Sequence, residues 1–404
     1  MTSALEGIKV IEATSAVGAP MAARLLADFG ADVIHIESAV AEATIQRKPR
    51  YDRGEVPAEI NYIAQNIGCN KRNMTLDLAS EAGREIIYTL LKDADVFLSN
   101  FRPRILEKLK LKYDILSELN PRLICATLTG FGHKGPDRDA PAFGATSADP
   151  RSGLIHMLTP PGQEPPETPI AYADFVTGMT LAFGIQTALL IRERTGVAQA
   201  VDASLYNSIV WALTSSVGGT LINGKDGTPT RRKDRGTPMR NCYQTKDGRW
   251  LYMMMMARRG DIWSKFCKAV DREDLENDPM FKSPSPSTED NAAMFDILEK
   301  IFLSRTLEEW KPCLNGIGAN WSYAQNLVEV VNDPQARENN FFAPVDHPDY
   351  GRIEIVGNPA KLSKTPATVR RPASEVGEDT EEILSEIGYT TEQINKFKEQ
   401  QVII

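Results

Sequence analysis

From the amino end, apolar and polar positions fall into blocks whose lengths fit strands and helices in turn. Ile8-Lys9-Val10-Ile11-Glu12 is a short strand-like run, and Gly18-Ala19-Pro20 opens a helix, with proline suited to its first turn. Residues 21–29 are rich in helix formers and end at Gly30, a C-cap position. Val33-Ile34-His35-Ile36-Glu37 is the next strand, which completes a βαβ unit. Residues 41–65 carry no period and read as irregular. Alternation resumes with a helix over 81–91, a strand over 95–98, helices over 105–110 and 113–119, and a strand over 123–128. Such alternation predicts a largely parallel sheet covered by helices. The polar, proline-rich stretch 133–169 reads as long surface loops. A long apolar helix follows over 178–194, then a short strand over 201–204 and a second apolar helix over 205–222. Near Gly224 the composition shifts to a Gly, Thr, Arg and Lys-rich linker. From Asn241 to about Gly318 a smaller α+β unit is expected, opening with a hairpin that turns at Asp247-Gly248. Within it, Met253-Met254-Met255-Met256 reads as buried strand, since methionine serves as core filler.

The 404 residues are too many for one ordinary core, so two domains are the default. Apolar and charged fractions of 42% and 25% are those of a globular chain. No basic, apolar, small-residue signal pattern opens the sequence, and no apolar run reaches the ~20 residues of a membrane span. Cys69, Cys125, Cys242, Cys267 and Cys313 are odd in number, with no CxxC pair, which fits a reducing cytoplasm and no disulfide framework. His35, His133, His156 and His347 stand far apart, so metal catalysis is not expected. A net charge of −8 argues against nucleic-acid binding. Basic residues still cluster twice, at Lys71, Arg72, Arg102, Arg104, Lys108 and Lys110, and at Arg231, Arg232, Lys233, Arg235 and Arg240. Each run is a solvated face or a place for a small polyanion.

The first βαβ unit has the outline of a dinucleotide site, but its loop, Ser15-Ala16-Val17-Gly18-Ala19-Pro20, lacks the G-x-G-x-x-G glycines, so NAD is rejected. Chemistry concentrates instead at Tyr172-Ala173-Asp174-Phe175-Val176-Thr177-Gly178, where a loop meets the long apolar helix. Asp174 is placed there as an N-cap. A capping carboxylate and an ionised nucleophile need the same helix N-terminus, so spacing alone leaves both readings open.

Residues 5–12, 25–34, Asn70-Lys71-Arg72-Asn73-Met74-Thr75-Leu76-Asp77-Leu78, Leu119-Asn120-Pro121-Arg122-Leu123-Ile124, Thr129-Gly130-Phe131-Gly132, Ala173-Asp174-Phe175 with Gly178, and Arg194-Thr195-Gly196 before Val201-Asp202-Ala203-Ser204 together resemble the class III coenzyme A transferases, in the right order and over nearly the whole chain. That family includes formyl-, carnitine-, 2-hydroxyacyl-, phenyllactate- and benzylsuccinate-CoA transferases. The resemblance implies a Rossmann-like parallel-sheet large domain (1–224, resumed over 326–404), a smaller inserted α+β domain (225–325), and an interlocked dimer. It implies that Asp174 attacks an acyl-CoA to give a mixed anhydride, which the thiolate converts to an aspartyl-CoA thioester. Ala16 and Val17 would lie near the thiol end, with Leu76, Asn100 and Phe101 along the groove and Lys108 on a phosphate. Charge adds Arg104 and Arg72. Coenzyme A is then substrate, with no permanently bound cofactor, and the partners are an acyl-CoA and a carboxylic acid, with neither nucleic acid nor membrane. Succinyl-CoA as donor and an aromatic or branched acceptor are the expected pair. Val17 stands where some members have Gln, Ser38 where some are basic, and Gly144 where many have Asp. Ala257-Arg258-Arg259-Gly260 stands where a covering glycine-rich loop lies in formyl-CoA transferase, and the two arginines would meet a second carboxylate of an acceptor. An α-methylacyl-CoA racemase would need a histidine within Pro141-Ala142-Phe143-Gly144-Ala145, which has none. The remaining alternative is a non-catalytic subunit of a heterodimer of related chains.

Overall fold

The computed structural model describes residues 3–38, 61–234, 236–255, 261–283 and 286–404, so Arg235, Met256, Arg258 and Arg259 lie outside the described residues. The chain forms two compact units, one of Met1–His156, Pro165–Asp226 and Gln335–Ile404, the other of Met157–Glu164 and Gly227–Pro334.

In the first unit β1 (Lys9–Ala13), β2 (Asp32–Glu37), β3 (Arg72–Thr75), β4 (Val96–Ser99), β5 (Ile124–Thr129) and β6 (Ala200–Ser204) make one sheet in the order β3-β2-β1-β4-β5-β6. Every pairing in it is parallel. Its central strands are buried nearly throughout, as a sheet covered on both faces requires. The order reverses direction between β1 and β4, and the loops leaving that point open a crevice at the carboxyl ends of the strands.

The connections are α1 (Gly18–Asp28), α2 (Tyr62–Gly68), α3 (Glu81–Lys92), α4 (Pro103–Leu109) and α5 (Tyr113–Leu119). After β5 come a π-helical turn over Gly144–Ala148, α6 (Asp149–Arg151), α7 (Leu154–Leu158), α8 (Tyr172–Thr195), α9 (Leu205–Ala212) and α10 (Thr214–Asn223). Four expectations need correction. Residues 133–169 are not loops alone, because a π turn and two short helices fold within them. Residues 62–65 start a helix, capped by Asn61, whose side chain accepts the Ala64 N–H at 3.0 Å. The helix expected over 205–222 breaks at Leu213 into α9 and α10. The long apolar helix begins six residues early, at Tyr172.

Helix α1 is buried along its whole length, and Ala19, Ala22, Ala23 and Ala27 make it thin enough for close packing. It packs against α8, 24 residues long. By length and composition α8 could cross a membrane; less than half of its most apolar stretch is buried.

In the second unit β7 (Arg240–Gln244), β8 (Trp250–Met254) and β9 (Asn320–Tyr323) form an antiparallel sheet. Against it pack α11 (Ile262–Ala269), α12 (Pro279–Lys282), α13 (Thr288–Phe302) and α14 (Leu307–Gly316), through an aromatic core of Tyr243, Phe266, Phe295, Phe302 and Trp310, and α15 (Leu327–Asn332) follows β9. Met253 and Met255 point into that core. In the second basic cluster Arg232 is committed to structure: its guanidinium lies 4.9 Å from the Trp250 ring centre and pairs with Glu299 at 2.7 Å.

The chain then returns to the first unit through α16 (Pro334–Glu338), the hairpin β10 (Phe342–His347) and β11 (Gly351–Val356), α17 (Thr380–Glu386) and α18 (Thr391–Glu399). This return completes the sheet edge. Asp379 Oδ2 accepts the Asn73 N–H at 2.7 Å, and the Thr380 hydroxyl accepts that of Thr75 at 3.1 Å.

Candidate active site

Asp174 is the third residue of α8, not its N-cap. The cap is Ala171, held in the left-handed region at φ 58°, which closes the first turn three residues before the carboxylate. From the third position the side chain folds back over the helix start, toward unpaired backbone N–H groups and the positive end of the dipole. A second helix start meets it there. Gly18, at the beginning of α1, brings its backbone against the Asp174 carboxylate, and its N–H, with that of Asp174 itself, lowers the pKa of that carboxyl.

Glycines make this approach geometrically allowed. A Cβ on Gly18 would stand 3.1 Å from Asp174 Oδ1, and one on Gly144 only 2.9 Å from Oδ2. Gly144, noted above as a departure from the family pattern, is thus what leaves room for the carboxylate. One turn along α8, a Cβ on Gly178 would reach 2.7 Å from the Gly18 carbonyl, so the two helices cross almost backbone to backbone.

Burial pushes the Asp174 carboxyl up to about 6, and the charge of Asp149 adds to the rise, while the Gly18 and Asp174 N–H groups hold it down in part. Asp149, at the start of α6, is itself fully buried. Its Oδ2 accepts the Thr168 hydroxyl at 2.5 Å, and burial raises its pKa as well. The result is a carboxylate poised near neutrality, at a place where two helix starts stabilise negative charge.

The residues expected to line a CoA groove divide into two groups. Ala16, Val17, Asn100 and Phe101 gather at the switch point. Asn100 Oδ1 accepts the Ser15 N–H at 3.0 Å and its amide donates to the Ser15 carbonyl at 2.7 Å, which joins the loop after β1 to the loop after β4. Ala16 takes a left-handed φ of 62°, uncommon without glycine. Arg104 and Lys108 follow on α4, both exposed, at the same end of the sheet. Arg72 is not brought there. It begins β3 at the sheet's opposite, amino end, and its guanidinium is shared by Asp32 at 2.7 Å and Glu386 at 2.8 Å, which corrects the expected groove. Leu76 follows β3 at the carboxyl end, with its side chain packed in the core beside Met74 and Ile86. Ser38 follows β2 and is exposed.

Sequence reasoning missed Gly18, Asp149 and the steric role of Gly144. No local signal pointed to them, since Gly18, Gly144 and Gly178 converge only once the chain is folded. Sequence reasoning also read Lys71 as part of a basic run, either a solvated face or a place for a small polyanion, whereas the ammonium is buried against Glu12.

The model of CoA-transferase family III matches residues 5–380. The chain is 29% identical to the (R)-2-hydroxy-4-methylpentanoate CoA-transferase of Clostridioides difficile, over 99% of each chain. It is 30% identical to the cinnamoyl-CoA:phenyllactate CoA-transferase of Clostridium sporogenes, over 100% of this chain and 98% of that one. A crystal structure of a CAIB/BAIF family protein from Brucella suis superposes with a TM-score of 0.83 at 25% identity, covering 96% of this chain and all of the other. With its parallel six-stranded sheet and a match running almost end to end, the chain belongs to CoA-transferase family III.

Proposed function

We propose that this enzyme moves coenzyme A from an acyl-CoA to a branched or aromatic carboxylic acid, with Asp174 as covalent nucleophile. The observation that carries this reading is the Asp174 carboxylate held at the starts of two helices and flanked by Gly18 and Gly144. One carboxylate oxygen attacks the thioester carbonyl, the C–S bond breaks, and CoA leaves as thiolate from a mixed anhydride. The thiolate then attacks Cγ of Asp174, which releases the donor acid and leaves an aspartyl-CoA thioester. The acceptor carboxylate attacks that Cγ and expels the thiolate again, and the thiolate takes the acceptor's acyl carbon. The product is acceptor-CoA and a free Asp174 carboxylate. Charge balances without a proton donor, and the Gly18 backbone beside the carboxylate supports the reading that its N–H steadies an oxyanion developing on Cγ. The acceptor class is inferred from the two curated relatives, one acting on a branched and one on an aromatic 2-hydroxy acid.

The test is intact-protein mass spectrometry after incubation with succinyl-CoA, cinnamoyl-CoA or a branched 2-hydroxyacyl-CoA, with hydroxylamine as trap. A hydroxamate mapping to Asp174 is expected, and no adduct from any donor would favour a non-catalytic subunit. Because only the ionised carboxylate attacks, the rate of adduct formation should climb with pH and level off above about 6. A rate that is flat from pH 5 to 8 would remove Asp174 from the attacking role. The racemase alternative finds no support in His133, whose Nε2 is bound to Thr127 at 2.9 Å and Asp202 at 3.2 Å.

We also propose that a second copy of the chain covers the outer face of α8. Phe175, Met179 and Phe183 stand one turn apart there, Phe183 is 72% exposed, and Trp211 and Ile222 on the following helices are 77% and 89% exposed. A monomer rarely leaves so much contiguous apolar surface in water. Light scattering should give a dimer down to nanomolar protein, and Phe183→Glu should dissociate or precipitate it; a folded wild-type monomer at micromolar concentration would end this reading.

A further inference from the structure

Lys71 carries a charge into the interior. The residue is 3% exposed, and its ammonium lies 2.8 Å from Glu12 Oε2 and donates to the Pro20 carbonyl at 2.7 Å. Glu12 is wholly buried; its other oxygen accepts the Thr14 hydroxyl at 2.6 Å and faces His35 Nδ1 at 3.3 Å. Burial works against the Glu12 charge, but Lys71 and His35 outweigh it and hold the carboxyl down at about 2. A buried ion pair is weak evidence of stability, because desolvating two charges offsets most of their attraction. What the pair touches is therefore more informative than how strongly it binds.

Two of its three outside partners, Thr14 and Pro20, bracket one loop. Thr14 is the first residue after β1, and Pro20 lies in the first turn of α1. Between them stand Ala16 in its left-handed conformation and Gly18, whose backbone lies against the Asp174 carboxylate. The loop is thus tied at its entry by Glu12, at its exit by Lys71, and at its side by Asn100. Neither Glu12 nor Lys71 acts on the Asp174 charge directly. The side-chain charge bearing on Asp174 is that of Asp149, across from α6, and the remaining influences are the Gly18 and Asp174 N–H groups.

We propose that the buried Glu12–Lys71 pair is a positioning device that fixes both ends of the loop after β1, so that the Gly18 backbone stays seated against the Asp174 carboxylate. Glu12 and Lys71 are positioning residues, since neither touches substrate. The proposal rests on the reading of Asp174 as nucleophile.

The test uses the full chain with Glu12→Gln and Lys71→Met combined, so that no lone charge is left buried, and Thr14→Val as a milder second variant. Hydroxamate formation from succinyl-CoA, cinnamoyl-CoA or a branched 2-hydroxyacyl-CoA is followed from pH 5 to 8, with CoA affinity measured by calorimetry and folding by thermal melts. The Gly18 N–H holds the Asp174 pKa down, so loosening its approach moves the midpoint upward. The double variant should lose roughly ten- to hundredfold in rate at pH 6, with CoA affinity changed by less than about threefold. Its midpoint should rise by about half a unit or more, and Thr14→Val should shift it in the same direction by less. A purely structural pair would lower the melting temperature and leave the midpoint of the folded protein where it was. Rate and midpoint unchanged in a folded double variant would overturn the proposal. If the double variant does not fold, an unmoved midpoint in Thr14→Val does the same. Wild-type protein giving no adduct removes the nucleophile and this inference together, whereas a wild-type adduct with unaltered variants removes this inference alone.

Discussion

Asp174→Asn is expected to abolish CoA transfer and at the same time to make the protein more stable at pH 8. The first effect follows from chemistry: an amide at this position cannot form the anhydride, so the loss should be at least ~10³-fold and hydroxylamine should trap nothing. The second follows from linkage. The folded-state carboxyl titrates at about 6 against an ordinary 3.8, so the native state holds its proton more tightly than the unfolded chain does. The carboxyl therefore costs nothing below the unfolded value. Its cost grows between roughly pH 4 and 6 and is fully present above that, at up to about 3 kcal/mol. Thermal melts of both proteins at pH 5 and pH 8 check this: the stability gain should be larger at pH 8. A gain equal at both pH values, or none, would mean that the carboxylate is comfortably solvated, and the account of its reactivity would fall with it.

Gly178→Ala should be the second most damaging of these changes. The added methyl would meet the Gly18 carbonyl at 2.7 Å, and that obstacle is backbone at a helix start, which cannot rotate away. Helices α1 and α8 must separate, at about 2–3 kcal/mol for overpacking. The same movement draws the Gly18 backbone off Asp174, so activity should fall ten- to hundredfold in protein that is still folded. Gly184→Ala on the same helix is the comparison. There the new methyl meets Val201 Cγ1 at 2.8 Å, the tip of a side chain, and both losses should be smaller. Equal effects from the two substitutions would show that helix separation is not what matters.

The sequence is legible where burial is continuous and local. Lys9–Ala13 and Val96–Ser99 read as strands because a sheet covered on both faces needs unbroken apolar runs, and α1 was visible from its alanines, leucines and Pro20. Strand β3 was not. Arg72 and Asn73 look like surface, and their partners Glu386 and Asp379 lie some three hundred residues away. Lys71 hid its burial for the same reason: Glu12 is 59 residues upstream, and a basic cluster gives no sign of which member turns inward. Asp174 stood out by resemblance and not by pattern. The N-cap reading failed by three residues because Ala171, and not a residue with a capping side chain, takes the turn that starts α8. Gly18 lies over a hundred residues from Gly144 and Gly178, and single-sequence spacing has no means of pairing them.

The close crossing of α1 and α8 has a consequence for anyone who would redesign this enzyme. At 2.7 Å from any added methyl there is no slack to exploit, so libraries that randomise Gly18 or Gly178 would mostly return inactive protein. Freedom lies elsewhere. The segment between β5 and α8 is broken into a π turn and short pieces, Phe143 at its start is largely exposed, and it meets the carboxylate through the backbone of Gly144 and the charge of Asp149. A change of acceptor is best sought by grafting that segment whole from a relative with another specificity, while the helix pair beneath is left untouched as a fixed jig for the reaction.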